Sequence, residues 1–149
     1  SWWDRLAGRE HEQALLDLSQ VGLTRQADAV VADLPYGVKK RLELAMALAG
    51  LPAQGERLLL LDEPAAGLAP AERADMMSLV RRVAASGVTV LYTEHNMDAV
   101  FGVADRVLVL MQGALVADGT PEVVAHDPQV RERYLGQDFD AKGLLDARG

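Results

Sequence analysis

The sequence predicts an α/β fold, mainly a parallel sheet with flanking helices. Three observations carry that reading. Apolar runs at Leu58–Leu61 and Val107–Leu110 suit strands covered on both faces. Segments of helical periodicity separate the strands, and the order strand, helix, strand, helix, strand requires crossover connections between parallel neighbours. Two polar clusters, Asp62-Glu63 and Thr93-Glu94-His95, directly follow strands. In such sheets ligands sit at the carboxyl ends of the strands.

The elements follow in order. Arg9 to about Leu18 reads as a helix with Ala14, Leu15 and Leu18 on one face, and Gly22 is its stop. Thr24 to Val30 holds a further helical turn or two. Gly37 to about Leu48 is an amphipathic helix with Val38, Leu42, Ala45 and Ala49 as its stripe, ended by Gly50 and Pro52. The strand from Leu58 must stop by Pro64, which has no N–H for a sheet ladder. Pro70 sits in the first turn of a helix reaching Ala85, with Met76, Leu79, Val80 and Val83 as its apolar face and Gly87 as its stop. Val88 to Tyr92 is the next strand. Asn96 can cap a helix to about Val103. Arg106–Met111 and Ala114–Ala117 flank Gln112-Gly113 as a tight hairpin. Thr120-Pro121 and Asp127-Pro128 open two short helices, the second ending near Gly136, and residues 137–149 read as a loosely held tail.

Composition bounds the function. The 149 residues suffice for one domain with one core, and half of them are apolar. A net charge of -7 argues against free nucleic acid as a partner. The absence of cysteine excludes disulfides and thiolate metal sites and fits a reducing cytosol. No apolar run reaches the roughly 18–20 residues of a membrane span. The opening Ser1-Trp2-Trp3-Asp4-Arg5 lacks the features of a signal peptide, and there is no initiator Met.

Asp62 and Glu63 are the first candidates for chemistry. Adjacent strand residues face opposite sides, so neighbouring carboxylates can do two jobs. One could hold Mg²⁺ through its waters and the other could deprotonate an attacking water. The simpler reading, polar residues marking a strand's exit to solvent, is favoured for Asp-Glu alone; four leucines feeding Asp-Glu-Pro is more specific. His95, at the end of the neighbouring strand, could donate to a phosphate oxygen. His11 and His126 fall on helices and take no role. Leu34-Pro35-Tyr36-Gly37-Val38-Lys39-Lys40-Arg41 opens the long helix, where free N–H groups attract anions and Gly37 permits close approach. Lys39, Lys40 and Arg41 run against the helix dipole, and each reads as part of a solvated basic turn.

Taken in order, these segments resemble the ATP-binding subunit of ABC transporters over about residues 9 to 136. Leu34-Pro-Tyr-Gly-Val38 resembles the family signature Leu-Ser-Gly-Gly-Gln, Leu58–Glu63 the Walker B strand, Ala65-Ala-Gly-Leu-Ala69 the D-loop, and His95 the switch histidine. Tyr36 before the signature Gly, Pro64-Ala-Ala-Gly-Leu68, Gly119-Thr-Pro-Glu122 and Tyr134-Leu-Gly136 are similar to the branched-chain amino-acid importer type. The resemblance implies two such domains packed head to tail, with each ATP between one phosphate loop and the other signature. It implies that Asp62 supports Mg²⁺ through water, Glu63 is the general base, and His95 contacts the γ-phosphate. Pro35, Tyr36, Gly37 and Val38 would face the partner's nucleotide, chiefly through the Gly37 backbone. Partners would be transmembrane permease subunits and a second ATP-binding subunit, at the inner face of the plasma membrane.

The chain departs from the pattern at Pro35 for Ser, Val38 for Gln and Ala69 for Asp or Asn. A phosphate loop of the form Gly-x-x-x-x-Gly-Lys-Ser/Thr is absent; Lys39, Lys40 and Lys142 are the only lysines and none lies in such a motif. The expectation is therefore a partial ABC-ATPase domain, related to P-loop NTPases, that lacks the N-terminal phosphate-loop portion. That portion occupies roughly the first hundred residues in the family. Residues 1–50 would form the helical subdomain and signature helix, and 51–136 Walker B to the C-terminal helices. Alone, the chain is expected to bind neither ATP nor Mg²⁺ tightly, not to hydrolyse ATP, and to self-associate through uncovered sheet surface. Two alternatives are a non-enzymatic half-domain acting in dimerisation and a piece of another ABC-type ATPase, such as a DNA-repair enzyme. No sustained heptad pattern supports the latter.

Overall fold

A computed structural model describes residues 2–148. Ser1 and Gly149 lie outside the described residues, so the signal-peptide reading at Ser1 and the last residue of the expected tail are not described. The chain divides into two compact units, residues 1–92 and 93–149.

In the first unit, α1 (Trp2–Gln20) begins seven residues before the expected Arg9. Nothing between Asp4 and Gly8 breaks a helix, and Asp4 in the first turn complements the dipole. Leu15 and Leu18 are half-buried, whereas Ala14 is exposed. Two short 3₁₀ turns, Thr24–Gln26 and Val31–Asp33, precede α2 (Tyr36–Ala49). The core-facing positions of α2 are Leu44 and Ala45; Ala49, expected on the stripe, is exposed. Helix α1 packs on α2.

Strands β1 (Leu58–Asp62) and β2 (Thr89–Thr93) are hydrogen-bonded neighbours, with α3 (Pro70–Ala85) between them in sequence. Pro70 occupies the first turn of α3 as its fixed φ allows. Met76, Leu79 and Val80 are buried as their spacing predicts, and Met77 joins them. The strands are covered on one side only. Leu59 is 3% exposed, while Leu58 and Leu60 are 55% and 64% exposed and Leu91 on β2 is 53% exposed.

The second unit contains α4 (Met97–Phe101), β3 (Val107–Met111), β4 (Ala114–Gly119), α5 (Pro121–Ala125), α6 (Pro128–Val130) and α7 (Ala141–Asp146). The cap expected at Asn96 is present, and Thr120 and Asp127, each expected to open a helix before a proline, also cap with their side chains. Asn96 Oδ1 accepts from the Ala99 amide at 3.0 Å, Thr120 Oγ1 from Val123 at 3.3 Å, and Asp127 Oδ1 from Gln129 at 2.9 Å. Helix α4 ends at Phe101, not Val103, where Gly102 follows as its cap.

Strands β3 and β4 form the expected hairpin, pairing antiparallel in a two-stranded sheet of their own rather than extending the parallel order. Gln112 (φ 49°) and Gly113 (φ 79°) form a two-residue loop whose left-handed backbone matches the twist of a hairpin, so the local partner is reached with little loop entropy. A bulge between Val109 and Leu110 interrupts the register.

The expected loose tail is also not what the structure contains. Helix α7 packs against α4 and α5. Phe139 meets Phe101 at 5.7 Å between ring centroids, and Ala141 is buried with Phe101, Val107, Val124 and Val130. Arg148 donates to the carbonyls of Phe101 and Ala104 at 3.0 and 2.6 Å. The segment carries enough apolar surface to offset the entropy of ordering it.

Candidate functional site at the end of the first strand

Strand β1 ends on Asp62, which is exposed, and Glu63 follows in the left-handed region at φ 47°. Few residues other than glycine adopt that conformation, and such backbone persists where the surroundings hold it. The sequence did not disclose this turn. The pleat ends at Asp62, and a backbone turn, rather than strand alternation, directs Glu63. The Ala66 amide donates to the Glu63 carbonyl at 3.1 Å, and the Leu68 amide to Ala65 at 3.3 Å, closing the turn that leads to α3.

The start of α2 meets this turn. Tyr36 Oη donates to the Ala66 carbonyl at 3.1 Å. A Cβ on Gly37 would stand 2.9 Å from Glu72 Oε1, and the other oxygen of that carboxylate accepts from the Ala69 amide at 3.1 Å. The space expected to admit a phosphate is thus shared with the chain's own Glu72. Sequence reasoning assigned no part to Glu72. Its place at the third residue of α3, just after Pro70, is where a glutamate can reach back to the N-cap amide, although Ala69 lacks the hydroxyl that would complete the sequence signature.

Lys39, Lys40 and Arg41 are half-buried rather than a solvated turn. Lys39 Nζ donates to the Ala32 carbonyl at 3.1 Å, Arg41 to Val21 at 3.5 Å, and Lys40 pairs with Glu43 at 3.3 Å. Chain carbonyls upstream occupy the two outer cations, which offsets their unfavourable place in the dipole. Lys40, Glu43 and Asp62 line a recess of about 120 Å³ between α2 and β1. Pro35 and Tyr36 are exposed and Val38 is half-buried.

Among the described residues no cluster of three His, Cys, Asp or Glu side chains could cage a metal ion. A single exposed carboxylate at Asp62 fits the water-mediated contact that Mg²⁺ accepts, not a protein cage. No glycine-rich lysine loop is present to cradle phosphates, so the residues do not fit a complete ATP site. His95 belongs to the second unit, is exposed, and immediately precedes the Asn96 cap of α4. The structure brings residues 36 and 37 to the turn after Glu63; His95 is placed by the second unit alone.

The family described as branched-chain amino acid ATP-binding cassette transporter matches residues 114–140. The high-affinity branched-chain amino acid transport ATP-binding protein BraF of Pseudomonas aeruginosa is 42% identical over 121 residues, 80% of this chain and 46% of BraF. Over most of its length the chain is similar to ATP-binding cassette proteins of branched-chain amino-acid transport. The corresponding protein LivG of Escherichia coli is 37% identical over 85% of this chain and 48% of its own length. In fold, the ADP conformation of MJ1267, an ATP-binding cassette of an ABC transporter, superposes with a TM-score of 0.73 at 32% identity, covering 85% of this chain and 50% of that one. The chain spans about half the length of the relatives it matches. Its α/β architecture is that of a partial ABC-ATPase domain, and no helix among the described residues is long and apolar enough to cross a membrane.

Proposed function

We propose that this cassette chain is the C-terminal part of the ATP-binding subunit of an importer, taking up branched-chain amino acids at the expense of ATP. The observation that carries the reading is the end of β1, where the strand closes on Asp62 and Glu63 follows with a left-handed backbone. Asp62 would hold Mg²⁺ through its waters, and the ion when bound neutralises phosphate charge. Glu63, as general base, would orient a water and accept its proton at a carboxylate oxygen. His95 would donate to a phosphate oxygen of the nucleotide. Pro35, Tyr36, Gly37 and Val38 would face the nucleotide held by a second ATP-binding subunit. Permease subunits would place the assembly at the inner face of the plasma membrane.

Without a phosphate loop, residues 1–149 alone bind neither ATP nor Mg²⁺ tightly. The purified chain should show no ATP hydrolysis above background in a phosphate-release assay. Hydrolysis that Glu63→Gln abolishes would overturn this.

A second reading is a non-enzymatic half-domain that works by association. The exposed leucines on β1 and β2 and those on the hairpin favour it. In either reading the isolated chain self-associates.

A further inference from the structure

We propose that Tyr36 is a positioning residue that ties the start of α2 to the turn carrying the base, Glu63. The inference deepens the functional reading above and rests on it. The resemblance places Tyr36 in a segment that faces a nucleotide. Its phenol, however, is engaged within its own chain. The hydroxyl donates to the Ala66 carbonyl at 3.1 Å, while the Ala66 amide donates to the Glu63 carbonyl at 3.1 Å. One peptide group on each side of Ala66 therefore links Tyr36 to Glu63.

The ring contributes as well. Gly67, at φ 75°, runs so close to the phenol that a Cβ there would lie 3.1 Å from Cε1. Tyr36 thus covers the turn where its backbone is left-handed. Glu72 closes a second contact, since its carboxylate holds the Ala69 amide and fills the space beside Gly37. Tyr36 and Glu72 hold the two ends of the segment from Ala66 to Ala69. The φ of 47° at Glu63 is a conformation that needs such external support. A contact made at residues 35–38 would consequently bear on the base through Tyr36.

The test is Tyr36→Phe, which keeps the ring and removes the hydroxyl. In the 149-residue chain, amide exchange at Ala66 and Leu68 should quicken about fivefold, the size of one net hydrogen bond. Amides of the β3–β4 hairpin should not change. In the intact ATP-binding subunit assembled with its permease, kcat for ATP should fall about fivefold with KM unaltered, because Tyr36 acts through Glu63 and not on the nucleotide. Unchanged exchange at Ala66 and Leu68, faster exchange shared with the hairpin, or a raised KM at constant kcat would each overturn the proposal. If the wild-type assembly does not hydrolyse ATP, the functional reading fails, and the exchange measurement still decides whether Tyr36 supports the turn.

Discussion

Gly67 concentrates the demands of the site in one residue. Its φ of 75° is a region that residues with a Cβ enter at a cost, and the Tyr36 ring leaves no room for a Cβ. Gly67→Ala should lower stability by about 1–2 kcal/mol in a urea titration, with the slope unchanged. Loss of less than a few tenths would show that the turn relaxes freely. At the same scale, Asp62 and Glu63 stand out in the sequence as a pair after four leucines. The backbone turn at Glu63 does not, because a left-handed φ at a glutamate has no signature in residue type. Glu72 was missed for a related reason: its carboxylate matters through the Gly37 backbone, 35 positions away in sequence.

The hairpin shows what one element can be asked. Arg106 binds Asp118 through two hydrogen bonds, Nε to Oδ1 at 2.7 Å and Nη2 to Oδ2 at 2.6 Å, at the open end of β3–β4. The hydrogen bond from Arg106 is the main cause holding the Asp118 carboxyl below its usual range. A carboxylate with a lowered folded pKa contributes stability that is fully present above its unfolded value. That contribution is lost as pH falls through the folded value. Asp118→Asn should therefore match the wild type in strong acid and fall below it above about pH 4, followed by circular dichroism during thermal melts. Because the pair is exposed the difference is small, and a gap that widens on acidification would refute the assignment. The turn residues Gln112-Gly113 announced this hairpin, and the Asn96 cap with the Thr120-Pro121 and Asp127-Pro128 pairs announced three helices. Such signals are local, so sequence suffices for them. Exclusion of β3 from a parallel sheet is a pairing choice between distant segments, and apolar runs do not encode it.

For the molecule as a whole, uncovered apolar strand faces dominate. Leu58, Leu60 and Leu91 are exposed in one unit, and Leu108, Leu110 and Leu115 in the other. Apolar patches of this kind are usually covered in a soluble protein. Light scattering on the purified chain should show mass rising with concentration above that of the 16.1 kDa monomer. A mass constant at the monomer value up to millimolar concentration would refute self-association.

Spacing and local chemistry along the chain are enough to show the family resemblance, the element order up to about residue 136 and the candidate residues. Only the tertiary structure decided that Glu63 leaves the strand through a left-handed turn, that Tyr36 and Glu72 hold that turn, and that residues 137–148 pack into the second unit. These depend on side chains meeting backbone far away in sequence, where a hydrogen bond or a missing Cβ selects one arrangement among many compatible with the same pattern.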